Sequence, residues 1–351
     1  MRSKKTHNIP KRILIIRLSA MGDVLLTTPL LRILKKHYQK MDIHFCVKKQ
    51  FAPLIETNPS VQSVISFSPG GGLKELRRIL NLIRQSRYDA IIDLQVNFRS
   101  WLLRRFSGVR RKIRYHPQRW RRFLLVHFRM NRYKNNVPIP LRYIRALKSW
   151  GVEDDGEGLD LVVASPARKS ILSILKEAGV KKKNRLIVLA PGAGRGTKRW
   201  PADKFTEVGN YFHQKGMRVC IVGGNGDETV CDRIHRDMLF PVMNFVSKFS
   251  LHETAALIAE SDILISNDTG VMHIGCALRK PVVALFGPTT HHLGFSPFRT
   301  QAKVIERDLD CRPCSYHGTE TCPKGHFRCM VDISSSQVIQ AAEKLLKDSK
   351  Q

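Results

Sequence analysis

One acidic side chain near the N-terminus stands where a proton acceptor could act. Asp23 follows the turn Ser19-Ala20-Met21-Gly22, which comes directly after an apolar run. A carboxylate at the start of a helix, just beyond a buried strand, can take a proton from a hydroxyl group. It can equally be a first-turn acid that the helix dipole favours. The spacing alone leaves both interpretations open.

A glycine-rich basic loop follows an apolar run in the second half of the chain. Its glycines, Gly192, Gly194 and Gly196, permit close approach of the backbone, and Lys198 and Arg199 supply positive charge. Such a loop can hold a phosphate group. The spacing fits neither the Walker A motif nor the dinucleotide-binding fingerprint. The alternative is a turn with a solvated basic edge.

Two further polar loops follow predicted strands in the same half. Glu228 ends the segment Gly223–Glu228 and could accept hydrogen bonds from ribose hydroxyls, although Asp227 could simply cap a helix. The segment Asn267–His273 opens a helix whose free N–H groups could hold a pyrophosphate. In this setting we expect His273 to face the ligand, although a lone histidine is commonly a core or cap residue.

Short apolar runs alternate with helical patterns along the whole chain, which predicts parallel α/β sheets. The pattern restarts after the acidic, glycine-rich stretch at residues 153–160. We therefore predict an α/β fold of two doubly wound, Rossmann-like domains facing across a cleft. The predicted domains are 1–165 and 166–351, and the terminal helix could pack back on the first.

The charge of the 351-residue chain is unusual and uneven. The formal net charge is +31, and residues 1–150 hold 33 basic and six acidic residues. Residues 94–152 contain no Asp or Glu and sixteen Lys or Arg, among them Arg110, Arg111, Arg119, Arg121 and Arg122. This half is expected to face an anionic partner. The 42% hydrophobic content excludes wholesale disorder.

Four of the eight cysteines lie close together in the sequence. Cys311, Cys314, Cys322 and Cys329 have the spacing C-x2-C-x7-C-x6-C. Four thiolates could bind a structural zinc ion at such spacing. Reduced thiols or a disulfide are the alternatives. No cofactor is expected to be required for catalysis.

The motifs together resemble the lipopolysaccharide heptosyltransferases of glycosyltransferase family 9. The resemblance rests on S-x-M-G-D at Ser19–Asp23, K-x-W-P at Lys198–Pro201, N-D-T-G-x-M-H at Asn267–His273 and P-x-V-A-L-F-G-P-T at Pro281–Thr289. It implies a GT-B fold with an N-terminal acceptor domain and a C-terminal donor domain. It also implies ADP-heptose as the donor and the lipid A–Kdo inner core as the acceptor.

The resemblance also implies a role for individual residues. It places the general base at Asp23 and the lysine that neutralises the donor pyrophosphate at Lys198. The other implied substrate- and donor-binding residues are Arg17, Ser19, Met21, Gly22, Thr197, Glu228, Asp268, Thr269, Gly270 and His273. Hydroxyl residues found before the lysine in some members are Ala193 and Gly194 here, and Thr197 could take their place.

Two other functions compete with an inverting heptosyltransferase. A GT-B glycosyltransferase with another nucleotide-sugar donor would use the same motifs. A nucleic-acid-binding protein would explain the basic half but leave the C-terminal motifs unexplained. The basic face also suits the anionic surface of a membrane. The sequence has no run of about 18 apolar residues and no secretory leader. We therefore predict a cytoplasmic protein at the periphery of the inner membrane.

Overall fold

The computed structural model describes residues 10–133, 135–181 and 183–349 of the chain. By their contacts these residues form two units. The first unit contains the described residues up to Pro117 and Pro140–Gly156, and the second contains Gln118–Ile139 and the residues from Glu157 onward. Residues 118–139 and 157–165 thus lie in the second unit, whereas the sequence boundary at 165 assigns them to the first. Five described basic residues of the acid-free stretch lie in the second unit with them: Arg119, Arg121, Arg122, Arg129 and Arg132.

The first unit contains a five-stranded parallel sheet in the order β3-β2-β1-β4-β5. Its strands are β1 (Arg12–Ile16), β2 (Asp42–Lys48), β3 (Ser63–Phe67), β4 (Ala90–Asp93) and β5 (Arg111–Arg114). The central strand β1 is fully buried from Ile13 to Ile16, as expected for a parallel strand covered on both faces. The strand order reverses between β1 and β4, which is where ligands bind in such sheets.

Helices follow the strands of this unit. They are α1 (Met21–Leu25), α2 (Thr28–His37), α3 (Pro53–Glu56), α4 (Gly72–Gln85) and α5 (Phe98–Phe106), with α7 (Ile139–Arg145) returning from the second unit. The core on one face of the sheet joins β1 and β4 to α4 through Leu14, Ile79, Ile83 and Ile91.

The segment after Asp23 forms two helices rather than the single one that its leucine spacing suggests. Pro29 has no N–H to donate, so the ladder of hydrogen bonds stops at the end of α1. The hydroxyl groups of Thr27 and Thr28 instead donate to the carbonyls of Val24 and Leu25. The short helix α1 therefore holds Asp23 close to the end of β1.

The second unit contains a six-stranded parallel sheet in the order β11-β10-β9-β6-β7-β8. Its strands are β6 (Leu186–Ala190), β7 (Arg218–Ile221), β8 (Met243–Asn244), β9 (Ile263–Asn267), β10 (Val282–Phe286) and β11 (Ala302–Glu306). Here the strand order reverses between β6 and β9. Both loops predicted to bind phosphate, after Ala190 and after Asn267, begin at this point of reversal.

Seven described helices complete the second unit and cover its core. They are α6 (Arg119–Phe128), α8 (Ser165–Glu177), α9 (Ala202–Gln214), α10 (Glu228–Asp237), α11 (Leu251–Glu260), α12 (Gly270–Ala277) and α14 (Ser335–Asp348), with a single turn α13 (Arg328–Val331). The terminal helix α14 packs within this unit, against α9 and β10, through Val338, Ala342 and Leu345. Of the helices in the described part of the chain, none has both the length and the apolar content needed to cross a membrane.

Candidate active site

In the first unit, the carboxylate of Asp23 forms an ion pair with the guanidinium of Arg17. Arg17 Nη2 lies 2.6 Å from Asp23 Oδ1, and both side chains are largely buried. Arg17 Nη1 donates to the carbonyl of Leu94 at 2.6 Å, directly after β4. The pair therefore sits where the strand order reverses. The ion pair fixes the orientation of the Asp23 carboxylate, whose oxygens can accept a hydrogen bond from a hydroxyl group.

Asp23 also fulfils the capping role that the sequence left open. Its second oxygen, Oδ2, accepts a hydrogen bond from the backbone N–H of Ala20 at 3.1 Å. Ser19 is fixed nearby, because its N–H donates to Gln95 Oε1 at 3.0 Å. Met21 and Gly22 form the first turn of α1 beside these residues. The geometry is compatible with both roles of Asp23 at once.

Arg17 itself is held by aromatic contact as well as by charge. Its guanidinium lies 5.9 Å from the ring centre of Tyr143. Burial opposes its charge, yet the neighbouring Asp23 carboxylate leaves the pKa of Arg17 raised above its ordinary value. Burial also raises the pKa of Tyr143. Arg17 is thus a permanent cation and Tyr143 a neutral ring, which leaves Asp23 as the group of the three suited to accept a proton.

In the second unit, Lys198, Asp268 and Thr289 form a chain of short contacts. Lys198 Nζ lies 2.7 Å from Asp268 Oδ2 and donates to the Asp268 carbonyl at 2.9 Å. The hydroxyl of Thr289 donates to the same Oδ2 at 2.6 Å. The three residues lie in the loops that follow three neighbouring strands, β6, β9 and β10. The network therefore joins all three loops at one edge of the sheet.

The charges of this network are mutually stabilised. Burial alone would raise the pKa of Asp268, but the Lys198 charge and hydrogen bonds from Lys198 and Thr289 together lower it. Asp268 is therefore ionised at neutral pH and neutralises Lys198. An arriving pyrophosphate could share the Lys198 ammonium group with Asp268, because that group has three N–H donors.

Asn267, the last residue of β9, connects the loop after β9 to the loop after β6. It is fully buried, and its Nδ2 donates to the carbonyl of Pro191 at 2.7 Å. Its Oδ1 accepts from the N–H of Trp200 at 3.2 Å. Sequence reasoning assigned no role to Asn267 or Thr289, although both lie within the motifs. The available signal was a polar residue at the end of a buried strand, as for Asn267 in β9, or just beyond it, as for Thr289 after β10.

Two other predicted donor-binding residues already have partners within the unit. The hydroxyl of Thr197 donates to the Thr319 carbonyl and accepts from the Thr319 N–H, each at 2.8 Å. Glu228 accepts from Ser247 Oγ at 2.6 Å and from the Gly226 N–H at 2.7 Å. These hydrogen bonds lower the pKa of Glu228, and the bond from Ser247 has the largest effect. Glu228 thus offers an ionised carboxylate after β7, whereas the Thr197 hydroxyl faces its own chain.

The start of helix α12 lies directly after Asp268. Thr269 precedes the helix in an extended conformation, and Gly270 is its first residue. The first N–H groups of a helix have no acceptor within it, so they can bind a phosphate. His273 is one turn further on and 3% exposed. His273 also contributes to lowering the pKa of Asp268, which places it beside the network.

The four clustered cysteines are all free thiols. Cys311, Cys314 and Cys322 are partly buried, and Cys329 is buried. Cys311 Sγ lies 3.8 Å from His326 Nε2. Within the described ranges, no three His, Cys, Asp or Glu side chains converge as a metal ion requires. As placed here the cysteines do not form a ligand set, so the structural zinc remains a prediction without geometric support.

Comparison with known proteins assigns the chain to a family. Residues 76–324 match the family described as glycosyltransferase family 9 (heptosyltransferase). The lipooligosaccharide heptosyltransferase 2 of Haemophilus ducreyi is 28% identical over 357 residues, covering 95% of this chain and 99% of that protein. A solved glycosyl transferase family 9 structure from Veillonella parvula is 26% identical, with a TM-score of 0.81 and coverage of 96% and 97%.

A second solved structure, the E. coli ADP-heptose lps heptosyltransferase II, supports the same fold. Its TM-score is 0.77 at 22% identity, covering 97% of this chain and all of that one. The predicted GT-B fold with two Rossmann-like domains is confirmed. The chain belongs to glycosyltransferase family 9. It is a glycosyltransferase of the heptosyltransferase class, and the predicted resemblance is confirmed.

Proposed function

We propose that this chain transfers a heptosyl group from ADP-heptose to the inner-core sugar on lipid A–Kdo, with inversion at the anomeric carbon. The observation that carries the proposal is the Lys198–Asp268–Thr289 network at the strand reversal of the second sheet, in a family 9 chain. The relatives support the donor and acceptor, since their names describe lipooligosaccharide and ADP-heptose heptosyltransferases.

The second unit supplies the charge that lets the leaving group depart. As the bond between the sugar carbon and the phosphate oxygen breaks, negative charge grows on the ADP. Lys198, positioned by Asp268, would neutralise that charge. The N–H groups at the start of α12, with Thr269 and Gly270, would bind the same pyrophosphate. Glu228 would accept hydrogen bonds from the ribose hydroxyls, and His273 would lie beside the phosphate.

The first unit supplies the proton acceptor. An acceptor hydroxyl attacks the anomeric carbon opposite the departing ADP, and its proton passes to the Asp23 carboxylate. Arg17 holds the Asp23 carboxylate in place and remains charged throughout. Ser19, Met21 and Gly22 hold Asp23 at the end of β1. One C–O bond forms, one breaks, and the proton ends on Asp23.

A donor panel tests the proposed donor and its main rival. The purified chain is offered ADP-heptose, UDP-sugars and GDP-sugars with a deacylated inner-core acceptor, and the product mass is measured. We expect one heptosyl residue to be added from ADP-heptose only. Transfer from a UDP- or GDP-sugar instead would establish the rival reading, a GT-B enzyme with another nucleotide-sugar donor.

We further propose that the chain works at the cytoplasmic face of the inner membrane, bound to its anionic surface. The support is electrostatic, since the acid-free stretch from 94 to 152 holds sixteen basic residues. Each basic residue near an anionic leaflet contributes roughly 1 kcal/mol to binding. An acceptor that carries phosphate and carboxylate groups would favour the same charge. This use of the basic residues also makes a nucleic-acid partner unnecessary.

Helix α6 adds an aromatic ridge to this charge. Trp120, Phe123 and Phe128 are exposed by 69%, 37% and 60%, although they are large and apolar. Trp120 stacks on Phe123 with ring centres 5.6 Å apart. Arg121 lies exposed beside them. A helix with aromatic and arginine side chains on its outer faces is typical of one that lies in a membrane interface.

A further inference from the structure

The segment that carries the clustered cysteines, residues 307–333, contacts two of the three loops of the donor-side network. It is called here the cysteine segment. It reaches the Lys198 loop through Thr319, and the loop after β10 through Arg312 and Cys314. No role in the reaction follows from the motifs for this segment. Its contacts, however, reach Thr197, which precedes Lys198 in the chain, and Thr289, which donates a hydrogen bond to Asp268.

Arg312 fixes the loop that presents Thr289. Its side chain is only 5% exposed and pairs with Glu306 at 2.5 Å. The guanidinium donates to the carbonyl of Gly287 at 2.5 Å and to that of Thr289 at 2.7 Å. A buried guanidinium with this many acceptors holds them in one geometry, because its donors are fixed in a plane. Thr289 is thereby held where its hydroxyl reaches Asp268.

The same segment holds the Lys198 loop at a second place. The N–H of Thr197 donates to the Thr319 carbonyl at 3.0 Å, and the Thr197 hydroxyl makes the two further bonds to Thr319. Gly318 has a φ of +87°, and a Cβ there would lie 3.1 Å from Lys198 Cγ. The backbone of the segment therefore lies directly along the Lys198 side chain.

From these contacts we propose that the cysteine segment is a brace for the Lys198–Asp268 pair. Its positioning residues are Arg312 on the segment itself and Thr197 on the Lys198 loop, which bonds to Thr319. Arg312 acts through Thr289 on Asp268, and Thr197 acts on its neighbour Lys198. Neither residue needs to contact the substrate. The inference rests on the proposed function for its rate measurements, and on ADP binding alone for its affinity measurements.

A double-mutant cycle tests whether Arg312 acts through Lys198. Lys198→Ala is expected to lower kcat by about 10²–10³, the effect of losing one preorganised charge. Arg312→Gln is expected to lower kcat by about 10- to 100-fold, because a shift of the order of 1 Å in a reacting group can cost about 10². In the Lys198→Ala background, Arg312→Gln should lower kcat by less than about twofold, since coupled residues are not additive.

Calorimetry with ADP alone gives the same cycle without any sugar transfer. ADP carries the charge that develops in the reaction, so its affinity reports on Lys198 directly. We expect each single variant to weaken ADP binding and the double variant to weaken it no further than Lys198→Ala. If the native chain transfers no heptose, the proposed function fails, while this cycle still tests the brace.

Arg307→Gln is the matched control. Arg307 belongs to the same segment, but it donates to the Asp332 carbonyl at 2.8 Å and to Gln337, away from both loops. It should lower the melting temperature without lowering kcat or ADP affinity. Equal losses in Arg307→Gln and Arg312→Gln would overturn the proposal, as would a full additional loss from Arg312→Gln in the Lys198→Ala background.

Thr197→Val keeps the test decisive if Arg312→Gln does not fold. It removes one hydroxyl that joins the loop to Thr319 and preserves the shape of the side chain. The same pattern is expected, a loss of kcat and ADP affinity in the native background and almost none beside Lys198→Ala. Native values for Thr197→Val, or a loss that adds to that of Lys198→Ala, would overturn the proposal.

Discussion

Two ion pairs, Lys198–Asp268 and Arg17–Asp23, hold the charged residues of the candidate site in place. Lys198 and Asp268 were both expected at the donor site, yet they are 70 positions apart, and their ion pair depends on how β6 and β9 align. Likewise, the motif around Asp23 does not predict its ion pair with Arg17, which directly follows β1. Thr197 was expected to face a phosphate, but its hydroxyl is bonded to Thr319.

The Asp268–Lys198 pair makes a prediction about stability and pH. The lowered pKa of Asp268 means that its contribution is fully present above its ordinary value of 3.8 and is lost as the pH falls below that value. Asp268→Asn leaves Lys198 without its counter-charge, so it should cost about 3 kcal/mol near pH 6. Since a protonated Asp268 resembles asparagine, the difference from the native chain should shrink towards pH 3.

Urea unfolding at the two pH values measures this difference. Asp237→Asn is the matched control, because Asp237 is exposed and its ion pairs with Arg233 and Arg236 are long. It should change stability little at either pH. A cost for Asp268→Asn that stays the same at pH 3 would contradict the ion pair as the cause.

At the scale of elements, the buried strands were predictable and the arginine-rich helices were not. Strands such as β6 and β10 are continuous apolar runs, which the sequence shows directly. The helices α5 and α6 carry aromatic and arginine side chains on outer faces, so their apolar spacing is hidden. The edge strand β11 is half-exposed and lacks a clear pattern. The allocation of α6 to the second unit depends on long-range contacts such as Arg129 to Asp310.

The basic elements around β5 and α6 carry a prediction about membrane binding. Of the arginines singled out in the sequence, Arg111 stacks over Trp150 and Arg122 over Tyr316, so reversing them would disturb folding. The suitable set is exposed: Arg110, Lys112, Arg114 and Arg121. Changing these four to Glu should weaken binding to anionic vesicles by more than about tenfold at low salt. The acceptor KM should rise.

The control reverses four exposed lysines of the second unit that lie outside α6: Lys169, Lys176, Lys303 and Lys344. It changes the net charge equally, so vesicle binding should fall less if the location of the charge matters. ADP affinity should hold in both variants, because none of these residues belongs to the donor network. Unchanged vesicle binding after reversal of the first set would exclude a membrane role for it.

At the scale of the whole molecule, the proposed function assigns one half of the reaction to each unit. The candidate base and its arginine lie at the strand reversal of the first sheet, and the leaving-group charges lie at that of the second. The repeated strand-loop-helix pattern made this organisation predictable. The assignment of residues to each unit was harder to predict, because the chain passes from one unit to the other more than once.

The most direct test of this division of labour is Asp23→Asn, measured by single-turnover transfer and by ADP calorimetry on the same preparation. Asparagine keeps the size of the side chain but cannot take the proton. We expect the transfer rate to fall by about 10²–10⁴ and ADP affinity to stay within about twofold of the native value, the spread expected for independent sites. A near-native rate would show that Asp23 only caps α1. A large loss of ADP affinity would show that Asp23 helps to bind the donor. Either result would contradict the role of Asp23 as the proton acceptor.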